Sequence, residues 1–132
     1  MGERLVSGHL PRAEWTHEAH VATCLWLIAE RPTLDAARTL PGIIRRHNAS
    51  VGTPNSDDSG FHATITHCYI VGVRSFLHRV DARLLLVGKV NALLVAPEGA
   101  RDWPLRFYSR DRLFSVEARR AVILPDIAPL PV

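Results

Sequence analysis

The sequence predicts an all-α fold: one domain of four main helices in a bundle-like core, with short C-terminal helices and an extended Pro-rich tail. Three observations predict it. Apolar residues recur at spacings of three and four along most of the chain. No segment shows the period-two alternation of a half-buried strand. The one long run of turn-forming residues, ASVGTPNSDDSG over 49–60, separates two helical patterns. At 132 residues the chain has room for a single domain, 1–132, with 1–10 as an N-terminal arm and 122–132 as a C-terminal tail.

The first helix is expected from about Pro11 to Glu30. Proline suits a first helical turn, and Glu14 suits the positive end of the dipole. Arg31-Pro32 ends it, because the residue before proline disfavours helical dihedrals. Thr33 reads as the N-cap of a second helix, Leu34 to about Asn48, with Asp35 in its first turn. Pro41 and Gly42 predict a kink or a short break there. After the 49–60 loop, Asp57, Asp58 or Ser59 can cap a third helix from about Gly60 to Arg79. A fourth is expected from about Asp81 to Ala96, with Leu84, Leu85, Val87, Leu93 and Leu94 as core positions, stopped by Pro97-Glu98-Gly99. Short helices fit Ser109–Leu113 and Ser115–Ala121. Beyond them PDIAPLPV carries three prolines in eight residues, which forbids regular structure.

Composition removes several function classes. Apolar residues at 47% and charged residues at 22% are ordinary for a globular domain and argue against disorder. No apolar run reaches the roughly 18–20 residues of a membrane span. The N-terminus MGERLVSGHLPRAEW lacks the apolar core of a secretory signal. Sixteen basic residues give a formal charge of +3, but all except Lys89 are arginine and they are dispersed. Nucleic-acid binding needs a clustered basic stripe, so that partner is not expected. Cys24 and Cys68 sit in apolar segments and read as buried thiols in a reducing cytoplasm. A monomer or homodimer fits what remains.

The chemistry-bearing residues fall in two motifs. In Trp15-Thr16-His17-Glu18-Ala19-His20, His17 and His20 are three apart and share a helix face, with Cys24 on the same stripe. In Gly60-Phe61-His62-Ala63-Thr64-Ile65-Thr66-His67, a helix puts His62, Thr66 and Tyr69 on one face and turns His67 about 140° away. If helices one and three are neighbours, His17, His20 and His62 converge. Two imidazoles from one helix and one from another suit a divalent transition metal such as Zn, Fe, Ni or Cu, with an open position for substrate. Glu18 is turned about 100° from His17 and suits a ligand, an acceptor for the ring N–H of a ligating histidine, or a general base only if the helix lies side-on. A metal-free site would use the same histidines for acid–base work. Thr66 and Tyr69 suit donors to a bound anion or water, Trp15 a pocket wall, and Asn48 the pocket mouth. The bland counterparts are a hydrogen-bonded core network for the histidines and helix capping for Asn48. Tyr108, Ser109, Arg110 and Arg112 form a polar block that would pin the tail, make a salt bridge to Asp102, Asp111 or Asp126, or meet an anionic substrate.

WTHEAH, IIRRHNASVG, GFHATITHCYI, FYSRDRLFSVEAR and PDIAPLP together resemble an uncharacterised family of small all-helical bacterial proteins. The resemblance runs from about Leu10 to Pro131. It points to Trp15, His17, His20, Asn48, His62, Thr64, Thr66 and the Tyr108–Arg112 block, and it implies no particular reaction. The family pattern carries Glu where this chain has Ala63, and Tyr where it has His47 and Phe61. His67, one turn beyond Ala63, is a candidate to replace that Glu in space.

Two readings follow. The first is a small-molecule enzyme whose His-lined pocket between helices one and three performs hydrolysis or isomerisation, with or without a metal. There His17, His20, His62 and Glu18 are catalytic. The second is a non-catalytic bundle that binds a ligand or partner and holds its histidines in a structural network.

Overall fold

A computed structural model of the chain describes residues 17–31, 35–57 and 59–131. The elements in order are α1 (His17–Glu30), α2 (Ala36–Ser50), α3 (Ala63–Arg79), α4 (Leu86–Leu94), the 3-10 turns Pro97–Gly99 and Trp103–Arg106, α5 (Arg110–Leu113) and α6 (Val116–Arg120). The described residues contain helices and no strand. The N-terminal arm, Pro11, Trp15 and the Thr33 cap lie outside the described residues.

α3 is the spine. It packs against α1, α2, α6 and both 3-10 turns, while α1 also meets α2 and α4. With neighbours on several sides, α1 buries Val21, Ala22, Thr23, Cys24, Leu25 and Leu27, which covers nearly its whole circumference. A simple amphipathic stripe therefore understates it. Leu25, Leu27, Ile43, Val73 and Leu93 centre the main core, where α1 to α4 meet. A second core of Cys68, Trp103, Phe107, Tyr108 and Leu113 holds the C-terminal part against the far side of α3.

Several boundaries differ from expectation. α2 runs through Pro41, so of the two outcomes expected there the short break is absent. α3 starts at Ala63, and its cap is neither Asp57 nor Ser59, while Asp58 lies outside the described residues. His62 has extended dihedrals, and its Nδ1 accepts from the Ile65 N–H at 3.1 Å. The fourth helix starts five residues late. Asp81 Oδ1 accepts from Arg83 N–H at 2.9 Å and closes a turn in place of a helix cap. Leu84, Leu85 and Val87 are consequently exposed, Leu85 at 77%, and do not belong to the core; Leu93 does.

The tail lacks regular structure, as its prolines require, yet it is docked. Tyr108 is fully buried and its hydroxyl donates to the Ile123 carbonyl. Ser109 N–H and Oγ donate to the two Asp126 carboxylate oxygens at 2.8 and 2.7 Å, and Arg112 Nε donates to Leu124 O at 2.7 Å. The Tyr108–Arg112 block is therefore the pin of the tail. Ala128 and Leu130 pack on the second core.

Candidate functional site

α1 and α3 flank a half-open cavity of about 340 Å³ with walls from α2, the residues before α3, and α6. His17, His20, Asn48, His62, Thr66 and Tyr69 all line it. The helical spacings place His17 and His20 on one side and His62, Thr66 and Tyr69 on the other. Val21, Cys24, Leu40, Ile44, Phe61 and Ile65 supply the apolar part of the wall.

The hydrogen bonds decide what each polar group can do. His62 is held at both ring nitrogens. Its Nδ1 accepts from Ile65 N–H, and its Nε2 lies 2.7 Å from the Leu113 carbonyl. A carbonyl only accepts, so Nε2 carries the proton and the ring is neutral. Burial pushes its pKa below the ordinary imidazole value, and the Arg119 charge pushes the same way. His62 thus has no nitrogen left for a metal or a substrate proton. It caps α3 and ties it to α5, so its expected ligand and catalytic roles are withdrawn.

His17 is different. Its Nε2 lies 2.8 Å from Gly99 O and must donate, which leaves the lone pair of the neutral ring on Nδ1. The ring packs edge-on against Tyr69, centroids 5.5 Å apart. Arg79 ion-pairs with buried Glu98, which anchors the turn bearing Gly99. His20 lines the same wall and is half-buried.

The two hydroxyls are acceptors toward the cavity, contrary to expectation. Thr66 Oγ1 donates to His62 O at 2.8 Å, and the Tyr69 hydroxyl donates to Ala100 O at 2.6 Å. With each proton on a backbone carbonyl, only oxygen lone pairs remain. Burial, then the neighbouring Cys68 and Asp102, push the Tyr69 pKa up, so it stays a neutral phenol. Asn48 does not end its helix, which continues to Ser50. Its Nδ2 donates to Asn55 Oδ1 at 3.0 Å, and the same oxygen accepts from Phe61 N–H at 3.1 Å. That shared oxygen holds the 51–60 loop against the cavity. Gly60 makes the loop possible: its φ is +80°, and a Cβ there would stand 2.3 Å from the Pro54 carbonyl oxygen.

Three other expectations are corrected. Glu18 is exposed, ion-pairs with Arg101 at 3.7 Å and does not line the cavity, because the helix turns it away from His17. Neither Ala63 nor His67 lines the cavity, so His67 does not stand in for a glutamate there. Among the described residues, no group of three or more His, Cys, Asp or Glu is placed to hold a metal ion, so the three histidines share a cavity without forming a metal triad. Cys24 lines the wall as a neutral thiol, pushed up to about 12 by burial. Both cysteines are free and buried.

Sequence reasoning missed Arg119. α6 brings it to the cavity, where Nη1 donates to Gly60 O at 2.9 Å and Phe61 O at 3.3 Å. In sequence it is one of many dispersed arginines, and no spacing marks it. Among the described residues no helix is long and apolar enough to cross a membrane. No family model, curated protein or solved structure matches the chain.

Proposed function

We propose that the protein is a cytoplasmic small-molecule enzyme that performs acid–base chemistry, hydrolysis or isomerisation, in the cavity between α1 and α3. One observation carries the reading: His17 is oriented by the Gly99 carbonyl so that Nδ1 keeps its lone pair, and the residue lines a half-open, largely apolar cavity. A histidine held at one nitrogen by a carbonyl is positioned and keeps one tautomer. His20 is the second proton-transfer group, and Asn48, Thr66 and Tyr69 orient the substrate. A metal-assisted version rests on His17 and His20, since His62 is fully bonded to backbone.

The test is turnover of a panel of small esters, amides and enolisable ketones by wild-type protein and by His17→Gln and His20→Gln. The reading expects kcat/KM to collapse in His17→Gln. Activity that survives His17→Gln overturns it. Metal analysis of untagged protein accompanies the assay: stoichiometric metal that falls in His17→Ala supports the metal version, and content that the variant leaves unchanged opposes it.

The bonding of His62 favours a second reading, in which the cavity binds a ligand without turning it over. Binding mapped to the cavity with no turnover across the panel supports that alternative.

A further inference from the structure

A second cavity of about 200 Å³ adjoins the first and shares two lining residues with it, Phe61 and Arg119. Arg45, Arg120 and Asp57 complete its charged lining. Asp57 is committed to Arg120 through contacts of 2.7 and 2.6 Å. Arg45 stacks on the Phe61 ring with its guanidinium carbon 4.4 Å from the centroid. Neither Arg45 nor Arg119 has an ion pair among the described residues. Positive charge is therefore left over on both faces of the partition between the cavities.

The inner cavity has the opposite polarity on its far wall. His17 Nδ1, Thr66 Oγ1 and the Tyr69 hydroxyl oxygen all accept there, because their protons or partner nitrogens face backbone carbonyls. An anion is repelled by that wall and is drawn to the Arg119 side, where a carboxylate can take guanidinium N–H bonds.

We propose that the ligand of this cavity is a small organic carboxylate with an apolar body, its anionic end held by Arg119 at the Phe61 partition, where the charge of Arg45 behind the ring adds to the attraction, and its body directed toward His17. This rests on the cavity being a ligand site and names the class of molecule that fills it. The apolar body is required by Val21, Ile44 and Ile65 on the inner wall. An anion is favoured because Arg119 is a charged group lining the inner cavity and has no ion pair among the described residues.

The experiment titrates 15N-labelled protein with a panel of aryl- and branched-alkyl carboxylates, such as 4-phenylbutanoate, each paired with its neutral amide. Amide shifts at Ile65 and Thr66 read cavity occupancy. The proposal expects at least one acid to bind tenfold or more tightly than its amide. Arg119→Gln should remove that preference while leaving amide binding in place, Arg119→Lys should retain part of it, and Arg45→Gln should reduce it. Acid and amide bound equally, or a preference that survives both Arg→Gln variants, overturns the carboxylate assignment and leaves the cavity reading standing. Failure of both acids and amides to move Ile65 or Thr66 overturns both.

Discussion

Replacing His62 by alanine is expected to cost far more stability than a cavity-lining residue usually would. Two bonds are lost at once. The Ile65 N–H loses its cap, worth about 1 kcal/mol. The buried Leu113 carbonyl loses its donor, which costs about 1–3 kcal/mol when nothing replaces it. The sum is about 2–4 kcal/mol. At about 2.1 cal/mol/K of unfolding entropy per residue, the melting temperature of a chain of this size falls by roughly 7–14 °C. His62→Asn separates the contributions: asparagine is a strong N-cap but is too short to reach Leu113, so only the carbonyl penalty remains. Thermal and urea melts followed by circular dichroism at pH 8 measure both variants. Loss under about 1 kcal/mol in His62→Ala, or equal loss in the two variants, would refute the assignment of both ring nitrogens.

Four further outcomes follow from the same contacts. His62 and His47 both have depressed pKa values from burial, so the unfolded chain takes up protons first as pH falls below the ordinary value of 6.5. Stability is then level above about pH 7.5 and declines toward pH 5, by at most about 1.4 kcal/mol per pH unit for each imidazole; urea midpoints that stay constant over that range would contradict this. Gly72→Ala places a Cβ 2.6 Å from Trp103 Nε1, whose N–H bonds the Cys68 carbonyl, so a loss of about 1–3 kcal/mol is expected in the same melts. Arg79→Met strands the buried Glu98 carboxylate and should cost about 1–3 kcal/mol, below the usual range for a buried pair because Arg79 is half-exposed; an unchanged urea midpoint would contradict it. Tyr69→Phe removes the bond to Ala100 O and should lower stability by about 1 kcal/mol, as chemical denaturation would show.

Helical spacing alone made the membership of the cavity legible. Residues three and four apart on a helix share a face, so His17 with His20, and Thr66 with Tyr69, open together onto one side of their helices, and His62 joins them from the cap of α3. Their roles were not legible, because the deciding partners are remote. Gly99 is 82 residues from His17, Leu113 is 51 from His62, and Ala100 is 31 from Tyr69. A proton committed to a carbonyl that far along the chain leaves no local pattern. Histidine as an N-cap escaped notice because serine and aspartate dominate that position, and three such residues stood just before it. Asp81 misled in the opposite way: it reads as a helix start, yet its carboxylate closes a turn with Arg83. The short C-terminal helices were readable, since Ser109 and Ser115 cap them by the ordinary route.

The proposed function divides the labour: His62 is a structural neutral ring, and His17 would offer the proton-transfer nitrogen to a bound molecule. A long-range 1H–15N spectrum of the imidazoles, recorded across pH 5–8 with and without 4-phenylbutanoate, tests it directly. The account predicts Nε2–H tautomers for both residues, a His62 signal that resists protonation and ignores the ligand, and a His17 Nδ1 signal that moves when the ligand enters. A His62 ring that takes up a proton within that range, or a ligand that shifts His62 and leaves His17 unmoved, would contradict it.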